Sequence, residues 1–115
     1  MKIINLTPHP INIINESNSL EIMSSGILVR CDEQTNYLFE LELDNNTSVP
    51  VYNTSLKSNI DNLPCEESDV FYIVSIITAA LFPNRKDFLV PHEYVRDNEG
   101  NIIGCKSFKR ISDII

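Results

Sequence analysis

The chemistry this chain could carry rests on two hydroxyls, one imidazole and two guanidinium groups. Thr7 and His9 stand in Asn5-Leu6-Thr7-Pro8-His9-Pro10, a polar corner between Ile3-Ile4 and the run Ile11-Asn12-Ile13-Ile14. Its two prolines remove backbone donors and restrict φ on either side of His9. A histidine in so stiff a corner is either a structural peg or a presented functional group. Ser75 follows Val70-Phe71-Tyr72-Ile73-Val74 and precedes Ile76-Ile77-Thr78-Ala79-Ala80-Leu81-Phe82, which Pro83 ends. That order reads as strand, N-cap and short helix. The start of a helix exposes free N–H groups and a positive dipole end, which attract anions. Arg85 follows the same helix and Arg96 lies one strand further on. Guanidinium groups suit phosphate or carboxylate. Tyr52, Tyr72 and Tyr94 offer rings for stacking. The plainer reading is that Ser75 only caps its helix and the arginines pair with Asp87, Glu93 or Asp97.

Other chemistries have thinner support. Cys31, Cys65 and Cys105 are odd in number and widely spaced, with no Cys-x-x-Cys, so they read as reduced thiols. A nucleophilic pair of Cys65 or Cys105 with His9 or His92 lacks any local signature. Glu66, Glu67 and Asp69 sit together in a polar stretch, which reads as solvated surface. Two histidines are too few and too scattered for a metal site. No P-loop, Gly-x-Gly-x-x-Gly or His-Glu-x-x-His occurs. No catalytic residue, metal or cofactor is therefore expected.

These groups need a scaffold, and 115 residues with 43% hydrophobic content suffice for one domain spanning 1–115. No apolar run reaches membrane-spanning length, and the first residues do not read as a signal peptide, so a cytoplasmic protein is expected. The net charge of −7 disfavours a nucleic acid polymer as partner. Residues 1–83 hold three basic and eleven acidic side chains, whereas residues 84–115 hold six basic and five acidic ones. An acidic body with a locally basic end suits a small anion better than a polyanion.

Periodicity and turn residues predict strands at Lys2–Leu6, 10–15, 27–31, 37–43, 49–52, 70–74, 88–90, 94–96 and 102–105. In 37–43, Glu40 and Glu42 share one face and Phe39, Leu41 and Leu43 the other, as in a half-buried antiparallel strand. Pro50 marks an edge strand. Gly26 is expected at positive φ. Residues 53–69 read as the longest loop, and 94–105 as a terminal hairpin. The expected fold is α+β: a mainly antiparallel β-sheet with one short helix, in a single compact domain.

Several stretches occur together in order: Asn5-Leu6-Thr7-Pro8-His9, Ser25-Gly26, Tyr72-Ile73-Val74-Ser75, Arg85 with Asp87, Val95-Arg96-Asp97 with Gly100, and Ile103-Gly104-Cys105. This set resembles a group of small proteins from bacteriophages and from bacterial, notably actinobacterial, genomes that open on Asn-Leu-Thr-Pro-His. The resemblance covers most of the chain and implies a small domain in a phage or mobile-element setting. By analogy, that setting points to phage sponges, small oligomers that sequester the nucleotide messengers of antiviral immunity. On this reading the chain holds an anionic, nucleotide-derived ligand without turnover in the host cytoplasm, and forms a homo-oligomer. Ser75 and the following amides would hold phosphate, Arg85 and Arg96 would neutralise it, Thr7 and His9 would touch base or sugar, and Tyr72 would stack. The alternatives are an enzyme that modifies such a nucleotide, with His9 as acid–base, and a protein–protein inhibitor or virion accessory protein that turns acidic residues 32–69 toward a basic partner.

Overall fold

A computed structural model describes residues 1–112, with the backbone alone for 30–32 and 56–61. The protein is mostly β-sheet with one short helix. Its strands are β1 (Lys2–Asn5), β2 (Ile11–Ile14), β3 (Ser19–Ile22), β4 (Arg30–Leu43), β5 (Thr47–Asp61), β6 (Val70–Ile73), β7 (Phe88–Arg96) and β8 (Ile102–Lys109). The helix α1 spans Ile76–Leu81. Backbone contacts divide the chain into two units, Arg30–Asp61 and the remainder.

The larger unit holds a six-stranded sheet in the order β1-β6-β7-β8-β2-β3. β1 runs parallel to β6, β6 parallel to β7, and β2 parallel to β8. Only β7–β8 and β2–β3 are antiparallel here. The sheet is thus mixed, where turn spacing had pointed to a mainly antiparallel one. The reason is that β6 returns through α1 to a parallel neighbour, and β1 pairs with a strand 68 positions further along, Lys2 opposite Val70. Short turns do not encode such pairings.

The apolar run at 70–74 becomes a central strand, paired with β1 on one edge and β7 on the other. Ile73 is fully buried, and Tyr72 and Val74 nearly so. On one face Tyr72, Val74, Phe88 and Val90 pack with Leu6 and with Ala79 of α1. Phe88 meets both Tyr72 and Phe82 edge-on, with ring centroids 6.3 Å apart in each case. α1 begins at Ser75, whose Oγ accepts from the Thr78 amide at 3.2 Å. Phe82 closes it just before Pro83.

The smaller unit is a long antiparallel hairpin of β4 and β5, joined through a 3-10 turn at Asp44–Asn46. Asn45 and Asn46 take left-handed φ of 67° and 58°, a conformation asparagine tolerates better than most residues. The hairpin absorbs residues 53–61, so the expected loop 53–69 shrinks to the stretch after Asp61. The polar, irregular composition of 53–61 points to a loop, yet a two-stranded ribbon needs no continuous apolar face to pair. For the same reason Phe39, Leu41 and Leu43 are exposed, not half-buried. Two further differences are local. Residues 27–29 are irregular, and Ser19–Ile22 is a strand although its polar start reads as turn. Gly26 does take positive φ, at 84°.

Candidate functional site

Asn5 organises the Thr-Pro-His-Pro corner. Its side chain is 1% exposed, yet each of its polar atoms is used. Nδ2 donates to the carbonyls of His9 at 2.8 Å and Ile22 at 3.1 Å. Oδ1 accepts from the Thr7 amide at 2.9 Å and lies 2.6 Å from the Thr7 hydroxyl. Oγ1 of Thr7 is also 3.0 Å from the His9 carbonyl, so its single proton serves one of these two acceptors. From the other side the Ser24 hydroxyl donates to the Thr7 carbonyl at 2.7 Å. The corner is therefore pegged by Asn5, and the His9 side chain remains exposed. Asn5-x-Thr7 has the spacing of an Asx turn, a signal that could have singled out Asn5.

A cleft of about 300 Å³ opens beside this corner. It lies where β6 and β7 part. Val74 still donates to the Leu89 carbonyl at 3.0 Å, but the chain then turns into α1 at Ser75 while β7 continues. Pro91 falls just past this split, where its missing N–H costs no ladder bond to β6. Thr7 and His9 after β1, Ser75 and Ile76 after β6, and Val90 and Pro91 of β7 line the cleft with Ile11, Val74, Tyr94 and Lys109. The chain leaving the carboxyl ends of β1 and β6 and the first half of β7 therefore converge on it. Lys109 stands directly across from Val90 in the β7–β8 ladder, so register alone brings its ammonium group to the site.

Of the residues singled out from sequence, Thr7, His9 and Ser75 line this cleft together. The other three lie elsewhere. Tyr72 is core: it is 5% exposed, packs on Phe88, and points its hydroxyl at the Cys65 carbonyl 3.5 Å away. Burial, with Glu67 and Asp87 nearby, raises its pKa above the ordinary tyrosine range. Arg85 forms a two-pronged pair with Asp87, with Nε–Oδ1 and Nη2–Oδ2 both 2.9 Å, and its Nε lies 3.4 Å from Glu66. Its guanidinium carbon sits 4.1 Å from the centre of the Phe88 ring. The Asp87 hydrogen bonds hold its proton even more firmly than usual. Arg96 donates to the Gly100 carbonyl at 2.8 Å and braces the turn between β7 and β8.

The hydroxyls that do line the cleft are partly engaged as well. Ser75 Oγ serves the Thr78 amide and hydroxyl, and Thr7 is held by Asn5. Among the described residues that line the cleft, the His9 ring, the Tyr94 hydroxyl and the Lys109 ammonium are left with open hydrogen-bonding capacity. Sequence reasoning weighed Tyr94 only as a generic stacking ring and passed over Lys109, which no local motif marks.

The weaker chemistries find little geometry. Cys65 is exposed and Cys105 buried, and burial pushes the Cys105 thiol above its ordinary range, away from the nucleophilic thiolate. The Cys31 side chain lies outside the described residues. Glu66, Glu67 and Asp69 are exposed. Among the described residues no group of three His, Cys, Asp or Glu side chains could hold a metal ion. None of the described helices is long and apolar enough to cross a membrane. Comparison with protein-family models, curated proteins and solved structures found no match.

Proposed function

We propose that the protein binds a small anionic, nucleotide-derived ligand in the cleft between His9, Tyr94 and Lys109, and holds it without turnover. In a phage or prophage setting this sequesters a host immune signal. The observation that carries the reading is that these three side chains line one cleft beside the carboxyl ends of the parallel strands β1 and β6. Ligands of open parallel sheets bind outside those ends, where strands diverge and leave a crevice. Lys109 supplies the positive charge first assigned to Arg85 and Arg96. Tyr94 supplies the exposed ring first assigned to Tyr72. Ile11, Val74 and Val90 form an apolar wall that lowers the local dielectric and strengthens a phosphate–ammonium contact.

The test is a thermal-shift screen with mononucleotides, cyclic dinucleotides, cyclic trinucleotides and ADP-ribose derivatives, followed by chromatography of the ligand recovered after heat denaturation. The expected result is a stabilising shift with ligand recovered intact. Lys109→Ala and Tyr94→Ala should abolish the shift while keeping the fold, whereas Arg96→Ala should retain it. Recovery of an altered nucleotide would make the protein an enzyme, with His9 as the acid–base group. No shift with any compound would sink the reading.

A second reading attaches to the hairpin. Phe39, Leu41, Leu43 and Val49 are exposed on one face, and Glu40 and Glu42 alternate with them on the other. Such a ribbon serves protein contact, with a second copy of the chain as the simplest partner. Sedimentation of the wild type against Leu41→Asp tests it. A concentration-dependent mass increase that the variant loses supports self-association, and a monomer throughout removes it.

A further inference from the structure

The hairpin carries a second surface, independent of the cleft. Its register shifts between Tyr37 and Phe39, where β4 holds one extra residue, Leu38. Tyr37 stands opposite Tyr52, and Phe39 opposite Val51. Tyr52 and Val51 are neighbours in β5 and so point to opposite faces. The bulge thereby gives Tyr37 to the face of Glu40 and Glu42 and leaves Phe39 on the face of Leu41 and Leu43. Contacts across the strands agree with this assignment. The Tyr37 and Tyr52 rings meet edge-on with centroids 6.0 Å apart, and Ser48 Oγ donates to Glu42 Oε1 at 2.8 Å. The face therefore presents three rows in line: the tyrosine pair, Glu40 and Glu42. Successive rows lie two residues of strand apart, about 7 Å. The rings are 54% and 57% exposed. Glu40 and Glu42 are exposed too, and among the described residues no lysine or arginine pairs with either. From Glu33 to Ser55 the hairpin holds four carboxylates and no cation.

We propose that this face binds an extended cationic segment of a partner protein, with arginine or lysine at alternate positions. Charge complementarity is the first argument. The rows offer acceptors and negative charge without a cation of their own, and a guanidinium supplies both donors and charge. The rings are the second. Tyrosine attracts a cation over its face, and an arginine also stacks on it. Spacing is the third. An extended chain repeats its side chains on one face every two residues, about 7 Å, so alternate cations of one segment meet successive rows. A contiguous basic run turns about half of its charges away from the face. The apolar face of Phe39 and Leu41 lies behind and takes no part.

The experiment is calorimetric titration of the full chain with three synthetic seven-residue peptides. One alternates arginine with threonine, one has the same composition with its arginines contiguous, and one carries glutamine in place of each arginine. The alternating peptide should bind at least about five-fold more tightly than the contiguous one, and the glutamine peptide should give no binding heat. Glu40→Gln combined with Glu42→Gln should weaken the alternating peptide by about ten-fold or more. Tyr37→Leu should weaken it about five-fold, whereas Tyr37→Phe, which keeps the ring, should bind as wild type does. Circular dichroism checks each variant, and the glutamate variants, both at exposed positions, decide the case if Tyr37→Leu loses strand signal. Absence of binding by the alternating peptide would overturn the proposal. So would equal affinity for the contiguous or glutamine peptide, or a folded Tyr37→Leu protein that binds as tightly as Tyr37→Phe.

Discussion

Phe88 in the six-stranded sheet is 1% exposed, enclosed by Tyr72, Phe82 and the Arg85 guanidinium. Phe39, the same residue type in another strand, is 49% exposed in the hairpin. The difference lies in what covers each strand. Strand β7 has paired neighbours on both edges and a helix and the Leu6 corner over one face. Strands β4 and β5 have each other and, within their own unit, no second layer. A two-stranded ribbon by itself is marginal in water. Alternation therefore specifies that a segment is a strand and which residues share a face. It does not specify that the apolar face is buried.

The sharpest way to break this comparison is to truncate both phenylalanines. Phe88→Ala should cost about 3–5 kcal/mol by the cavity it leaves in a packed core, and Phe39→Ala under about 1 kcal/mol, both read by urea denaturation. Equal costs would mean that the hairpin face is covered in solution. Next comes Asn5→Ala. It removes both bonds of Nδ2 and leaves the Thr7 amide without its Oδ1 partner. A loss of about 2–3 kcal/mol is expected, since each unmade buried hydrogen bond costs about 1 kcal/mol. The backbone amides of residues 6–10 should also lose hydrogen-exchange protection. Loss of protection confined to the hairpin would contradict the peg role.

Gly104→Ala is the third test. A Cβ there would come within 2.6 Å of Ile14 Cδ1 and 2.8 Å of the Asn12 carbonyl, where β8 meets β2. Overpacking of this kind costs about 1–3 kcal/mol, whereas alanine at Gly26, whose Cβ would meet open space, carries only the strain of φ +84°. A Gly104→Ala protein as stable as wild type would place β2 further from β8 than described.

The smallest effect is on pH dependence. Burial raises the folded-state pKa of Tyr72 above 10.0 and of Cys105 above 9.0. The unfolded chain then releases these protons first as pH rises. Their contribution is whole below pH 9, begins to fall as the unfolded thiol titrates, and falls further above pH 10 until the folded groups themselves ionise. Denaturation midpoints should decline over that range, and Tyr72→Phe should flatten the decline above pH 10. A Tyr72→Phe protein whose decline above pH 10 matched the wild type would remove the buried phenol as its cause.

The candidate site was half legible. The corner at Thr7–His9 announced itself through its prolines, and the cap at Ser75 through the apolar run before it and Pro83 after the helix. Tyr94 and Lys109 gave no comparable signal, because they reach the cleft through the β7–β8 ladder and not through any local pattern. Arg85 was misleading for a physical reason. In the turn between α1 and β7, a guanidinium two residues from a carboxylate closes a bidentate pair with it, so Arg85-x-Asp87 is better read as self-satisfying than as ligand-seeking. Tyr72 was adjacent to Phe71 on a central strand, and which of the two would face the core depended on the sheet's other layer.

By itself the sequence determined the local elements: the strand at 70–73, the capped helix of six residues, the asparagine-rich turn at 44–46, the turn at Gly100 and the pegged corner after β1. Each follows from interactions within a few residues, where side-chain type acts directly on the backbone. Only the tertiary structure decided that β1 lies beside β6, that the hairpin stands as a separate unit, and that Lys109 shares a cleft with His9, one hundred positions away. Those outcomes depend on which strand edges pair and which faces are covered, and the burial that selects among pairings is a property of the assembled sheet.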